Sequence, residues 1–260
     1  MSNQSKLTTW LLASTPNHLK LATNHPFLAA AGTGKLPKST LSQWLSQDRL
    51  YAQSYIRFIG LLLSKIRLPL SHTAETHSSQ TQTQTPEHLA VDVLIDALVN
   101  IRTELHFFET TAANYSLDLT PGLSVVEGDT SDCRGDSPSV ITRAYIDMFM
   151  SAGSPGVTVL EGIAVLWATE VCYLRSWRYA ASFLETKDGK PDEDGGALRE
   201  KFIPNWSSKE FEDFVYQIGN VLDLIAGQIG DSELEDVRDR CLGWWRQVLW
   251  LEEQFWPAMN

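Results

Sequence analysis

The stretch PKSTLSQWLSQDRLYAQSYIRFIGLLLSKI, residues 37–66, determines the fold class of this chain. Its apolar residues recur every three or four positions, which is the spacing that keeps them on one face of an α-helix. Ser39 or Thr40 can serve as the N-cap, and we predict that the helix continues to about Ile66. A helix of this length with an apolar stripe indicates a bundle of helices packed on one another.

The rest of the 260-residue chain repeats this pattern, and Val/Ile/Thr-rich alternating runs typical of strands are missing. Further helices are predicted at roughly 7–22, 86–113, 137–152, 157–185, 207–229 and 232–257. The fold class is therefore predicted to be all-α, a helical bundle of about seven to eight helices.

Three polar segments interrupt the helical pattern, at 71–88, 120–139 and 186–200, and we expect them to be mobile loops. They do not separate regions of different composition. We therefore predict a single domain over residues 1–260.

The composition excludes several classes of function. The net charge is −11 and no run is rich in Lys or Arg, so the chain lacks the basic surface that binds nucleic acid. No window approaches about 18 uninterrupted apolar residues, and the segment MSNQSKLTTW has no signal-peptide pattern. We expect a cytoplasmic protein with no nucleic-acid or membrane partner.

Residues that commonly bind metals are not grouped along the chain. The cysteines are too few for a disulfide framework and too far apart for a zinc site: Cys133, Cys172 and Cys241. The histidines of the first polar segment have no fixed ligand spacing: His72, His77 and His88. We predict no metal site.

Helix 37–66 carries a first candidate site. Asp48, Tyr51 and Tyr55 stand at i, i+3 and i+7, so the acid and both phenols share one face and could line a pocket. The alternative is equally open: Asp48 could pair with Arg49 or another surface base while the tyrosines pack in the core.

Glu170 is a second candidate, because it lies in the otherwise apolar stretch VLWATEVCYLRSW, residues 165–177. Glu170, Tyr173 and Trp177 repeat the i, i+3, i+7 spacing, whereas Cys172 points to a nearly opposite face. Burial would raise the pKa of the Glu170 carboxyl, which suits a group that holds and releases a proton near neutral pH. Alternatively, Glu170 is a buried structural acid satisfied by a hydrogen bond.

A third acid lies in the C-terminal stretch WWRQVLWLEEQFW, residues 244–256. It is Glu252 or Glu253. Tryptophan clusters of this kind are more typical of a core than of a site.

Several motifs together resemble the TenA family: HPFLAAAGTGKLPKSTLSQWLSQDRLYAQSY (25–55), TRAYIDMF (142–149), NWSSKEF (205–211) and LEEQFWPAM (251–259). The resemblance covers nearly the whole chain outside the three polar segments. It implies a haem-oxygenase-like fold and a homo-oligomer, a dimer or tetramer, without a cofactor.

The function implied by the resemblance is that of a hydrolase in thiamin salvage. The substrate would be the small-molecule aminopyrimidine 4-amino-5-aminomethyl-2-methylpyrimidine or its N-formyl derivative. The products would be hydroxymethylpyrimidine and ammonia or formamide-derived products. A non-catalytic aminopyrimidine-binding or regulatory protein is the alternative.

Within the family, one branch uses a cysteine nucleophile and another carries a glutamate two residues further along the same helix. The resemblance aligns Ala168 with the cysteine, so Glu170 is identified as the glutamate-branch acid. Glu252 is implied as the second catalytic acid, with Glu253 as the alternative.

The resemblance also implies the residues that hold the substrate. Asp48 would bind the amidine-like edge of the ring. Tyr51, Tyr145 and Tyr173 would line the pocket. Trp206 stands where many relatives have a tyrosine and would supply an aromatic wall.

Overall fold

The computed structural model describes residues 5–68, 85–120, 137–185 and 189–259, and within these ranges the helices and connecting turns include no strand. The α-helices are α1 Leu7–Ser14, α2 Pro16–Thr23, α3 Pro26–Thr33, α4 Lys38–Lys65, α5 Pro86–Tyr115, α6 Val140–Ala152, α7 Val159–Ala181, α8 Ile203–Trp206, α9 Lys209–Ala226 and α10 Asp231–Phe255. A π-helical turn, Leu198–Phe202, precedes α8. The predicted all-α bundle is confirmed.

The helix boundaries differ from the predictions mainly near the N-terminus. The predicted helix 7–22 is two helices, because Pro16 begins α2 and the residue before a proline is disfavoured in the α conformation. Neither α3 nor α8 was predicted. Helix α4 begins at Lys38 after Pro37, without the side-chain cap expected from Ser39 or Thr40.

The ranges 69–84, 121–136 and 186–188 lie outside the described residues. They include most of the first two predicted loops and the start of the third. In the remainder of the third loop, residues 189–191 are exposed, but Asp194 and residues 196–198 are buried, which differs from the expectation of a mobile loop. Asp194 is 1% exposed, and its carboxylate accepts from the backbone N–H groups of Gly196 at 3.0 Å and Leu198 at 2.7 Å. This carboxylate fixes the turn that leads into the π-helical segment.

Helix α7 is the central element, since it packs against α2, α3, α4, α6, α8, α9 and α10. A capping box starts it: the Thr158 side chain accepts from the backbone N–H of Glu161, and the Glu161 carboxylate bonds back to Thr158. Helix α4 approaches it closely at Gly162, where a Cβ would lie 2.3 Å from the Leu62 side chain. This approach brings the polar face of α4 beside that of α7.

Buried apolar side chains form two clusters. The larger one involves α4, α5, α6, α7, α9 and α10. The second is rich in aromatic residues and includes Trp44, Trp177, Trp206 and Trp256. Tyr51 packs on the first cluster and Tyr173 on the second, so the polar side chains described below lie where the clusters meet. Among the described helices, none combines the length and apolarity needed to cross a membrane.

Candidate active site

Four helices contribute to one small cavity. Its lining comprises Asp48, Tyr51, Ala52 and Tyr55 from α4, Ile101, Glu104 and Phe108 from α5, Thr169, Glu170 and Tyr173 from α7, and Phe211 from α9. The i, i+3, i+7 spacing predicted for α4 thus brings its acid and both phenols to the same wall. Of the two alternatives raised for α4, the contacts favour the pocket, because Asp48 faces the cavity and accepts from Tyr173.

The free volume inside the cavity is about 30 Å³. That is room for one or two water molecules and far below the roughly 300 to 1,000 Å³ of ligand pockets, so a ring can enter only if the walls move apart. Its walls are mainly aromatic, and three carboxyl groups face it. The walls therefore offer aromatic surface and hydrogen-bonding carboxyl groups to a molecule that enters between them.

Each acid near the cavity has an aromatic hydrogen-bonding partner. The Tyr173 hydroxyl donates to Asp48 Oδ2 at 3.0 Å. The Trp206 Nε1–H donates to Glu104 Oε1 at 2.7 Å. The Tyr145 hydroxyl donates to Glu252 Oε1 at 2.6 Å. These bonds orient the carboxyl groups while leaving each an oxygen with free acceptor capacity.

Burial raises the pKa of all four acids. The pKa of Glu170 rises to about 8, because burial and the charges of Glu104 and Glu252 outweigh a hydrogen bond from Tyr55. The pKa of Glu252 rises to about 8 and that of Glu104 to about 7, both mainly by burial. Burial, then the Glu104 charge, raises the pKa of Asp48 well above its usual range. Acids so perturbed in one cavity are typical of functional sites.

Among the described residues, none of these four acids forms an ion pair with a basic side chain. Asp48 is 3% exposed and Glu252 is 4% exposed. Glu104 and Glu170 are half-buried because they face the cavity. A salt bridge between Asp48 and Arg49, one of the alternatives, is not among the described contacts.

The predicted site residues fall into two layers. Asp48, Tyr51, Glu170 and Tyr173 line the cavity directly. The others lie one layer behind it: Tyr145, Trp206 and Glu252. The Tyr145 ring packs edge-on to Tyr51 at 5.1 Å, and the Trp206 ring packs edge-on to Tyr173 at 5.2 Å.

At the C-terminus, Glu252 rather than Glu253 faces the interior, where it accepts from Tyr145. Glu253 is partly exposed and does not line the cavity.

Glu104 is a cavity residue that the sequence reading missed. Ile101, Glu104 and Phe108 show the same i, i+3, i+7 spacing used to find the other acids. The signal was therefore available, as one acid on the apolar stripe of α5.

The position aligned with the family's cysteine is not on the cavity wall. Ala168 is 1% exposed and belongs to the larger core cluster, whereas its neighbour Thr169 lines the cavity. The Thr169 hydroxyl donates to the Leu166 carbonyl at 2.9 Å. Cys172 is fully buried in the same cluster and, as predicted, lies off the cavity-facing side of α7.

Two thiol substitutions are therefore expected to leave any activity of this site within a few-fold of the parent. Cys172→Ser and Cys241→Ala change residues that do not line the cavity, and burial raises the pKa of both thiols, to about 12 for Cys241. Turnover per folded molecule is the measurement. Loss of activity with a retained melting temperature in either variant would contradict this expectation.

The raised acid pKa values predict that stability falls as pH rises. A folded-state pKa above the unfolded value stabilises the folded protein fully below the unfolded pKa, and this contribution is lost as pH rises through the folded pKa. For Glu170 the window runs from the ordinary 4.5 to about 8, and each pKa unit corresponds to about 1.4 kcal/mol. We expect the free energy of unfolding in urea to decrease by several kcal/mol between about pH 5 and pH 9.

A Glu170→Gln variant isolates one part of this effect, because the amide does not titrate. Its unfolding free energy should fall less steeply with pH than that of the parent. A matched change at the exposed Glu109 of α5 should keep the parent slope. Identical slopes for Glu170→Gln and the parent would show that the acid is not desolvated.

A larger groove of about 450 Å³ lies on another face of α7. Its charged walls are largely paired, with Arg178 bonded to Glu212 at 2.7 Å and Lys6 to Asp223 at 3.9 Å. We place the candidate site in the smaller cavity, because the perturbed acids converge there. Among the described residues, no group of three or more His, Cys, Asp or Glu side chains is arranged to hold a metal ion.

The fold and the cavity define a helical-bundle protein with a small internal cavity that three carboxyl groups face. The TENA/THI-4/PQQC family model matches residues 14–89 and 124–260. The chain belongs to this family.

Two curated proteins illustrate the range of relatives. A protein from Fusarium pseudograminearum described as a probable transcription factor is 31% identical over 92% of this chain. The chain spans 50% of the length of that relative. A soybean (Glycine max) protein described as a probable bifunctional TENA-E protein is 21% identical over 90% of this chain and 85% of its own length.

Solved structures share the fold. A TenA homologue from Pyrococcus furiosus has a TM-score of 0.71 at 22% identity, over 96% of this chain and 98% of its own. A structure from Sulfolobus solfataricus described as a putative TenA-like thiaminase has a TM-score of 0.62 at 15% identity, over 96% and 93% of the two chains. These neighbours have the haem-oxygenase-like fold that the resemblance implied.

Proposed function

We propose that this protein is a hydrolase of thiamin salvage that acts on an aminopyrimidine without a cysteine nucleophile. The substrate is 4-amino-5-aminomethyl-2-methylpyrimidine or its N-formyl derivative, and the product is hydroxymethylpyrimidine. The observation that carries the proposal is one aromatic-lined cavity that Asp48 and Glu170 both face, and its walls must move apart to admit the ring. Family membership supports the same assignment.

Recognition of the ring depends on Asp48. Its carboxylate can accept from the exocyclic 4-amino group and from the N–H of the adjacent ring nitrogen, once the ring has taken the proton that the buried carboxyl group holds in the empty cavity. A ring without the amine would leave a buried carboxyl group unpaired, so such molecules are rejected. Tyr51 and Tyr173 supply the aromatic walls, while Tyr145 and Trp206 support them from behind.

The reaction replaces a C–N bond with a C–O bond. The bond between the 5-methylene carbon and the amine nitrogen breaks, and its electron pair leaves with the nitrogen, assisted by electron donation from the 4-aminopyrimidine ring. Water then adds to the carbon and loses one proton. The products are the alcohol and ammonia, so protons and electrons balance.

Glu170 is our candidate for the acid that protonates the leaving amine. With a pKa of about 8 it carries a proton at neutral pH. Glu252 is our candidate for the base that receives the proton from water. With a pKa of about 8 it acts through its ionised fraction, which grows as the pH approaches 8. It contacts the cavity through Tyr145 and Tyr51, so its proton transfer requires that this aromatic wall adjusts when substrate binds.

One experiment tests the proposal: incubation of the purified protein with the aminopyrimidine, its N-formyl derivative and thiamin in parallel. We expect release of hydroxymethylpyrimidine from one or both aminopyrimidines. Thiamin should be a poor substrate, because none of the described residues that line the cavity carries a thiol.

A non-catalytic aminopyrimidine-binding or regulatory role is the second candidate. Its specific support is the Fusarium relative described as a probable transcription factor. Tight binding of the aminopyrimidine without turnover, in the same incubation, would favour this role. A net charge of −11 disfavours direct DNA binding by this chain.

A further inference from the structure

Glu104 has no role in the proposed function, although it faces the cavity. It also lines an outer groove between α5 and α9, with Asn100, Trp206 and Phe214 among the groove residues. Phe211 is the other residue that lines both spaces. Glu104 and Phe211 therefore form the partition between the inner cavity and the outer groove.

The surface of the outer groove is acidic. Glu210 lines the groove, and an adjoining depression adds Asp96 and Asp213, of which Asp213 pairs with Lys209. None of the described residues that line the cavity, the groove or the depression is Lys, Arg or His. A path of one charge sign concentrates molecules of the opposite charge.

The Glu104 side chain is positioned to bind a ligand. The Trp206 indole N–H donates to Oε1 at 2.7 Å, so the side chain has a fixed position. A carboxylate has about four acceptor positions, which leaves Oε2 able to accept from a bound group. The Glu104 charge also raises the pKa of Asp48 and of Glu170, so an ionised Glu104 disfavours ionisation of the other two acids. A cation bound beside Glu104 would weaken this effect, and a neutral molecule would not.

We propose that Glu104 receives the ammonium form of the substrate's aminomethyl group and so distinguishes an aminomethyl compound from its hydroxymethyl counterpart. The ammonium group passes one proton to Glu104 before Glu170 protonates the leaving amine, so the two roles are successive. The identity of the substrate rests on the proposed function. The preference for a cation rests on the cavity and the groove alone.

The test uses two probes of nearly equal shape, benzylammonium chloride and benzyl alcohol, followed by aminomethylpyrimidine and hydroxymethylpyrimidine. Calorimetry should show that the parent prefers the ammonium member of each pair by about tenfold or more, as expected for a charge-assisted hydrogen bond. Glu104→Gln should reduce this preference about tenfold while affinity for the alcohols stays unchanged. Glu109→Gln, an exposed change on the same helix, should behave as the parent.

Glu104→Asp serves as the conservative variant, because it keeps the charge on a shorter side chain. It should retain most of the preference for the ammonium probes, and melting temperatures confirm that each variant is folded. An absence of benzylammonium binding to the parent, or an unchanged preference in Glu104→Gln, overturns the inference. Failure of the proposed function looks different: the parent binds benzylammonium through Glu104 yet hydrolyses no aminopyrimidine.

Discussion

Glu170→Gln is expected to lower turnover of the aminopyrimidine by a factor of about 100 or more, which is the usual scale for loss of a positioned general acid. Glutamine keeps the shape of the side chain and much of its hydrogen bonding, including the contact with Tyr55. It cannot deliver a proton to the leaving amine. Affinity for the substrate should therefore change little, while kcat falls.

The pH dependence provides a second readout of the same variant. A general acid with a pKa of about 8 makes the parent rate fall above that pH, and the variant should lack this limb. A structural role predicts the opposite pattern: a shifted melting temperature with an unchanged rate per folded molecule. Stability and rate therefore have to be measured on the same sample.

A variant that lacks the carboxyl group tests the assignment of Glu170 in a further way. Glu170→Ala leaves space beside Thr169 in the cavity wall, and added formate can supply a carboxyl group there. Formate is expected to restore part of the turnover of Glu170→Ala. It should leave the turnover of Glu109→Gln unchanged. A fully active Glu170→Gln enzyme without a change in its pH profile would contradict the assignment, and Glu252 would be the next acid to test.

The sequence predicted those site residues whose positions follow from the period of a single helix. Asp48, Tyr51 and Tyr55 share a face of α4, and Glu170 and Tyr173 share a face of α7, so each set could be grouped without knowing the tertiary structure. Membership in the all-α class followed from the same periodicity.

Layering around the cavity could not be predicted in this way, since it depends on how helices pack. Tyr145 and Glu252 lie on α6 and α10, and their bond at 2.6 Å places both behind Tyr51. The spacing of Glu104 on α5 was visible in the sequence, but the sequence did not reveal that this face of α5 meets those of α4 and α7, so the acid could not be assigned to the cavity.

Trp206 shows a further limit, one of local register. The π-helical turn Leu198–Phe202 precedes Pro204, which has no N–H to donate to the backbone of the preceding turn. Helical spacing therefore does not carry through this segment. The resemblance implied that Trp206 forms an aromatic wall facing the substrate. In the structure, the Trp206 indole donates to Glu104 and packs against Tyr173 from behind.

Asp48→Asn is expected to weaken binding of the aminopyrimidine by about 2–4 kcal/mol, or roughly 30- to 1,000-fold in Kd. The substitution leaves the volume nearly unchanged, and the asparagine carbonyl can still accept from Tyr173. The lost property is the negative charge facing the exocyclic amine, and the new amide group can present N–H donors to that amine instead. Calorimetry on the folded parent and variant measures the change.

A substrate analogue that lacks the 4-amino group makes this test specific. If Asp48 binds that amine, removing the carboxylate and removing the amine weaken the same contact. The double change should then cost little more than either single change, which is the signature of a direct interaction in a double-mutant cycle. Independent effects that simply add would place the amine elsewhere in the cavity.

Asp147→Asn, an exposed change on α6, is the matched control and should bind as the parent does. The Asp48→Asn fold should be retained, because burial already raises the pKa of Asp48 and makes its charge costly in the empty cavity. An Asp48→Asn variant that is folded and binds the aminopyrimidine with parental affinity would reduce Asp48 to a structural partner of Tyr173. The amidine-like edge of the ring would then have to meet Glu104 or Glu170, the two other acids that face the cavity.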